Sequence, residues 1–267
     1  MKLALPAHVA EQYRDSARFD ARVRIYELYD TSPESWLCWL FAQLSLAEGE
    51  RVLELGCGTG NLWRENAAHV PAGVTLALTD LSPGMLEQAR RRLAGLPLAL
   101  DLREADALRI PFADASFDLV IANHMLYHVL DRARALAEVR RVLRRGGRFV
   151  AGTNHWTHLL ELRELLTRFG VETALLPALR EPDAFDLETA AEEISAVLEV
   201  TGVERRTSAL EIRDAEPLID YVRSMSDDAR TDDASLTRLR AHVARQIALM
   251  KSFHVGIAAG VVRARKP

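Results

Sequence analysis

The chain has 267 residues, 49% hydrophobic and 27% charged, enough for one α/β core with a cap. A formal charge of −4 and a sequence pI near 6.1 leave no overall basic surface, so nucleic acid is not an expected partner. Cys38 and Cys57 form no CxxC pair, which removes a disulfide framework and a structural zinc site, and no metal ligand set is expected. The arginines at 90–92 and at 140, 141, 144 and 145 fall in helical patterns and read as solvated faces. The opening residues are broken by Pro6 and His8 and are too short for a signal peptide, and no apolar run approaches a membrane span. A cytoplasmic protein without membrane contact is expected.

From about 8 to 48 the pattern is helical, with Trp36, Leu37, Leu40, Phe41 and Leu44 on one face and Ser32-Pro33 as the start signal. Strands and helices then alternate. A strand at 51–55 leads into a glycine cluster and a helix over 61–69. A strand at 74–79 precedes a helix that opens at Ser82-Pro83 and carries Met85, Leu86, Ala89 and Leu93. Further strands fall at 98–103, 118–122 and 148–153, with a helix over 131–143 that Gly146-Gly147 is expected to stop. This alternation predicts a parallel sheet covered on both faces. Residues 154–200 read as mostly helical, with Leu159, Leu162, Leu165, Leu166 and Phe169 on one stripe and Pro177 and Pro182 as breaks. Strands return at 204–212 and 254–263, with helices over 216–225 and 235–250 between them.

The informative string is Glu54-Leu55-Gly56-Cys57-Gly58-Thr59-Gly60. Glycine at every second position lets the backbone turn off a strand and approach a ligand without a Cβ in the way. A dinucleotide loop would space its glycines GxGxxG; here the third comes one residue early, and an acid stands two residues before the first. The string resembles the first motif of the class I S-adenosylmethionine-dependent methyltransferases. Four more segments of that family follow in order: Leu78-Thr79-Asp80-Leu81-Ser82, Glu104-Ala105-Asp106-Ala107, Ser116-Phe117-Asp118-Leu119-Val120-Ile121-Ala122-Asn123, and Arg141-Val142-Leu143-Arg144-Arg145-Gly146-Gly147-Arg148-Phe149. Trp36-Leu37-Cys38-Trp39-Leu40 and His124-Met125-Leu126-Tyr127-His128 are similar to bacterial small-molecule members.

The resemblance implies a Rossmann-like sheet of seven mostly parallel strands, the last antiparallel, with helices on both faces and a helical cap. It implies S-adenosylmethionine as cofactor, held by Glu54, Gly56, Cys57, Gly58, Gly60, Asp80, Leu81, Asp106, Ala107 and Asn123. A carboxylate at Asp80 can accept from both hydroxyls of a ribose. The family pattern puts the adenine amino group on Asp106 and a ring nitrogen on the Ala107 N–H. Met85 either lines the adenine or packs the core, and Tyr13 is either a lid aromatic or a helix anchor. The implied division is a lid at 1–48, a cofactor-binding core at 49–153, a cap or substrate segment at 154–203, and 204–267 completing the sheet.

Methyl transfer needs alignment first, and a base only where the acceptor must lose a proton. His124, Tyr127 and His128 are the candidates for that role, with local packing as the alternative for each; His155 and His158 lie further along. No Asn/Asp-Pro-Pro-Tyr/Phe string follows Asn123, and no cysteine stands there, which sets aside adenine-N6, glutamine and cytosine-C5 methylation. A small-molecule acceptor is expected. A cofactor-binding protein without catalysis, a protein or RNA methyltransferase and a nicotinamide oxidoreductase are the rival readings.

Overall fold

The computed structural model describes residues 16–171, 185–225 and 232–267, with side chains from residue 21 onward. Tyr13, Pro177 and Pro182 lie outside the described residues. The chain forms two compact units, one of residues 34–154, 185–205 and 260–267, the other of residues 1–33, 155–184 and 206–259.

A seven-stranded sheet has the order β3-β2-β1-β4-β5-β7-β6. Its strands are β1 (Arg51–Leu55), β2 (Thr75–Asp80), β3 (Ala99–Glu104), β4 (Phe117–Asn123), β5 (Leu143–Asn154), β6 (Glu199–Ile212) and β7 (Phe253–Arg265). Strands β1 and β4 read as near-continuous apolar runs because both their faces are covered, whereas the edge strand β3 stays half open. Strands β1 to β5 pair in parallel. Lys266 donates to Gly147 O while His155 donates to Ala258 O, so the β7 partner number falls as β5 advances, and β7 is antiparallel.

Alternation along the strands divides the core. Val52, Leu76, Leu78, Leu119, Ile121, Val150 and Val261 pack on one face with Leu40, Leu44 and Trp63. Leu53, Leu55, Val120, Ala122, Phe149, Ala151, Val262 and Ala264 pack on the other with Leu136, Val139 and Ile194. The covering helices of this unit are α2 (Trp36–Leu44), α3 (Asn61–Asn66), α4 (Pro83–Leu93), α5 (Arg132–Val142) and α7 (Leu187–Ser195), counted after α1 (Ser16–Tyr29) and with α6 (Leu160–Phe169) preceding α7. Ser82 caps α4 by accepting from Met85 N, with Pro83 in the first turn, and Asp131 caps α5 by accepting from Arg134 N.

Strands β5 and β6 each open five residues before the expected 148 and 204, and two helix boundaries also move. Helix α2 starts at Trp36 with Ser35 as its cap, not at Ser32-Pro33, because Asp30 Oδ1 takes the Ser32 N–H and turns the chain before the proline. Helix α5 ends at Val142 without help from glycine: Leu143 is already extended and opens β5. Gly146 sits inside that strand at φ +73°, where the β4–β5 register shifts and its N–H donates to Lys266 O.

The other unit packs α1, α6, α8 (Ala215–Met225) and α9 (Asp233–Met250) around Ile25, Leu162, Leu166, Leu218, Val222, Leu239 and Val243. Leu159 precedes α6 in the left-handed region rather than inside it. His155 and His158 belong to this unit, both buried; the His158 ring bridges the Ala258 N–H and the Tyr26 hydroxyl.

Candidate functional site

Register brings the motif residues to one sheet edge. Leu55 aligns with Thr79 on β2 and with Ala122 on β4, so Gly56, Asp80 and Asn123 leave the sheet side by side at the carboxyl ends of their strands, where open α/β sheets bind ligands. The chain turns off β1 with Gly56, Gly58 and Gly60 all in the left-handed region, at φ +64°, +55° and +76°. Their reasons for lacking a side chain differ. A Cβ at Gly56 would lie 2.8 Å from Met125 Cβ, and one at Gly60 would lie 2.8 Å from Leu93 Cδ1. A Cβ at Gly58 would meet nothing within 4 Å. Two glycines permit close packing, and the middle one faces open space. Arg92 of α4 reaches across to Thr59 Oγ1 at 3.2 Å and Asn61 Oδ1 at 3.0 Å, tying the loop to the next helix.

The acids that end the strands are held by the loop itself. Asp80 Oδ2 accepts from the Gly58 N–H at 2.9 Å and Oδ1 from the Ser82 N–H at 2.8 Å. Burial raises its carboxyl above the ordinary value against the pull of those donors. Glu54 is 2% exposed and accepts from Trp63 Nε1 at 2.6 Å. Burial pushes it up to about 7, with the Asp80 charge adding to the rise. Burial likewise pushes the Cys57 thiol up, so a neutral SH group stands in the loop. Leu81 follows Asp80 half-buried in the turn, and Met85 is fully buried on α4. Past β3, Asp106 Oδ1 accepts from the Leu108 N–H at 2.9 Å, and the Ala107 N–H has no acceptor among the described residues.

Asn123 ends β4 with its Oδ1 accepting from Trp36 Nε1 at 3.0 Å. The next residue, His124, is left-handed at φ +51°, an uncommon conformation for a side-chain-bearing residue. Its ring lies 5.0 Å from that of Trp36 and 6.3 Å from that of Tyr127, centroid to centroid.

Residues 53–151 match the family model described as a methyltransferase domain. That region is a methyltransferase domain. The chain is 37% identical over 119 residues to a demethylmenaquinone methyltransferase of Symbiobacterium thermophilum, an alignment covering 44% of this chain and 47% of that one. The chain spans about a third to a half of the length of the curated relatives it matches. A Bacillus halodurans C-125 crystal structure, provisionally described as a methyltransferase, superposes with a TM-score of 0.64 at 19% identity, covering 88% of this chain and 100% of that one. The Haemonchus contortus phosphoethanolamine N-methyltransferase 2, solved with phosphomonomethylethanolamine and S-adenosylhomocysteine, gives 0.57 at 21% identity over 96% of this chain and 58% of that one. At such identities the two structures establish the shared fold.

Within this methyltransferase domain the three base candidates are not equivalent. Burial lowers the His124 imidazole to about 4, so at neutral pH it is an unprotonated ring whose conjugate acid is too strong to hold a proton. Tyr127 and His128 lie on the short helix after it, rings 4.5 Å apart and edge to face, both half-buried. His155 and His158 fall in the other unit. Among the described residues no three His, Cys, Asp or Glu side chains gather as a metal site. Trp63, Gly152 and the Trp36–Asn123 bond escape sequence reasoning: no spacing rule says that an indole N–H nine residues after Glu54 returns to its carboxyl group.

Proposed function

We propose that this chain binds S-adenosylmethionine at the loop 54–60 and methylates a small-molecule acceptor in the cytoplasm. The observation that carries the reading is the bond from Gly58 N–H to Asp80 Oδ2, which couples the first two motifs into one cradle. The residues present fit the cofactor. Open space over Gly58 leaves room for a ligand against the backbone. A carboxylate has about four acceptor sites; Asp80 meets the Gly58, Ser82 and Leu81 N–H groups, which leaves capacity for a ribose hydroxyl. The second oxygen of Asp106 and the Ala107 N–H, which has no acceptor among the described residues, suit the amino group and a ring nitrogen of adenine. Leu81 and Met85 would border the base, Cys57 and Glu54 the rest of the nucleoside.

Bound there, the cofactor supplies a methyl group on a sulfonium, ready for in-line displacement. The chain's own contribution is alignment, on the order of 7–11 kcal/mol when reacting atoms are held near contact. His124 acts as a neutral, aromatic-flanked surface and not as the base. An acceptor that must lose a proton would give it to His128 or Tyr127.

Replacing Asp80 by alanine removes the ribose acceptor and the brace on Gly58. Calorimetric titration of S-adenosylmethionine should show affinity falling by roughly ten- to a hundredfold. Unchanged affinity would take Asp80 out of the site. For turnover, a reduced naphthoquinone is the first acceptor to assay, given the name of the Symbiobacterium relative.

A further inference from the structure

Five rings follow one another beside the carboxyl end of β4. Trp39 and Trp36 of α2 lie 5.1 Å apart, centroid to centroid, and His124 lies 5.0 Å from Trp36. Tyr127 is 6.3 Å from His124, and His128 is 4.5 Å from Tyr127. All five are half-buried, so each keeps some surface toward solvent. The middle of the row is pinned. Trp36 Nε1 is spent on Asn123 Oδ1, and Gly152 makes room for the indole, since a Cβ there would lie 3.2 Å from its ring. His124 donates its backbone N–H to Gly152 O at 2.9 Å and holds a left-handed φ of +51°. Such strain persists only where the surroundings impose it, and it gathers at ligand sites. The row also borders the glycine loop. A Cβ at Gly56 would lie 2.8 Å from Met125 Cβ, so the segment that carries His124, Tyr127 and His128 runs directly against residues 54–60.

The chemistry of the row selects its ligand. Aromatic faces and edges attract another planar ring, stacked or edge to face. They also attract cations, but no carboxylate assists here. Burial alone acts on the His124 imidazole, and it drives out the positive charge. An ammonium group set beside that ring would meet the same penalty. The neutral imidazole has one donor and one acceptor nitrogen, and neither has a partner among the described residues. Neither is sealed from solvent. A hydroxyl group can complement either one.

We propose that the methyl acceptor is an uncharged planar aromatic ring bearing a hydroxyl group, stacked on the Trp36–His124 part of this row. The inference rests on the cofactor reading above and adds the class of acceptor. An aliphatic alcohol or a cationic amine is the competing occupant.

The test is calorimetric binding to the full chain, first of S-adenosylhomocysteine and then, with that nucleoside saturating, of six small probes. These are phenol and 1-naphthol, their saturated counterparts cyclohexanol and decahydro-1-naphthol, anisole, and tetramethylammonium. Each aromatic alcohol should bind roughly three- to tenfold tighter than its saturated counterpart. Phenol should exceed anisole, which has no hydroxyl, by roughly the same factor. His124→Asn removes the ring and keeps a residue that tolerates the left-handed backbone. It should cut the aromatic preference to about twofold or less. S-adenosylhomocysteine should stay within about threefold of wild type, which also shows that the variant is folded. The inference is overturned if wild type binds aromatic and saturated alcohols alike, phenol no tighter than anisole, or tetramethylammonium tighter than phenol. An unchanged aromatic preference in His124→Asn overturns it too. These wild-type comparisons decide without the variant. A chain that takes up S-adenosylhomocysteine but neither aromatic alcohol sinks this inference and leaves the cofactor reading standing. A chain that takes up no S-adenosylhomocysteine sinks both.

Discussion

Glu54 shows what one buried carboxyl does to the molecule. Its ordinary value is 4.5; enclosure in the core pushes it to about 7, although Trp63 donates to its ionised form. Between those two values the folded chain holds a proton that the unfolded chain has released, so stability falls as pH rises through the window and the full penalty applies above it. Asp80, raised by the same cause, works in the same direction. Glu54→Gln keeps an oxygen for the Trp63 N–H and removes the ionisation. At about 1.36 kcal/mol for each pH unit between the two values, the variant should gain on the order of 3 kcal/mol over wild type at pH 8 and nothing below pH 4.5. Thermal melts across that range would show the two curves diverging upward in pH. Parallel curves would mean that Glu54 ionises freely in the folded state.

At the scale of elements, the loop between β1 and α3 separates two uses of glycine that share one backbone conformation. Alanine at Gly56 must push on Met125 Cβ, and at Gly60 on Leu93, which is fully buried and has nowhere to go. At Gly58 it meets no neighbour and costs only the left-handed conformation, roughly 1–2 kcal/mol. Gly56→Ala and Gly60→Ala should therefore lower the melting temperature more than Gly58→Ala, while Gly58→Ala loses most S-adenosylmethionine affinity from a folded chain. A Gly58 variant that binds normally would move the ligand off the loop. The loop was legible in the sequence because its chemistry is local: an acid, three spaced glycines and a strand pattern sit within seven residues. The cap at Ser82 was legible for the same reason. Gly146-Gly147 misled because glycine after a helix signals a stop, whereas here Leu143 had already left the helix and the glycine serves a strand pairing with Lys266. The bonds Trp36 to Asn123 and Trp63 to Glu54 were illegible, since only the sheet register and the packing of α2 and α3 bring those side chains together.

At the scale of the whole molecule, the sequence pattern marks residues 49–153 as the cofactor-binding core, with 204–267 completing the sheet. Residues 206–212 of β6 and 253–259 of β7 instead fall in the other unit, whereas the compact unit that holds β1 to β4 also takes 34–48, 185–205 and 260–267. These additions do structural work. Leu40, Leu44 and Val261 cover one face, and Leu187, Ala190, Ile194, Val262 and Ala264 the other. A fragment of residues 49–153 would expose both faces and leave Gly146 and Gly147 without the Lys266 backbone, so it should melt without a cooperative transition. The unit nonetheless closes on itself. Thr153 Oγ1 donates to Phe185 O at 3.0 Å, placing the chain ends on either side of the first excursion next to one another. Thr201 Oγ1 reaches Arg263 O at 3.2 Å across the second, where Gly260 packs against the Glu204 carbonyl. Joining 154 to 185 and 205 to 260 with short glycine linkers should therefore give a chain that unfolds cooperatively in urea and takes up S-adenosylmethionine. Urea unfolding of the two proteins, followed by circular dichroism, separates the cases: a cooperative 49–153 fragment, or a linked unit that fails to fold, would show that the sheet does not depend on these three segments in the way its packing indicates.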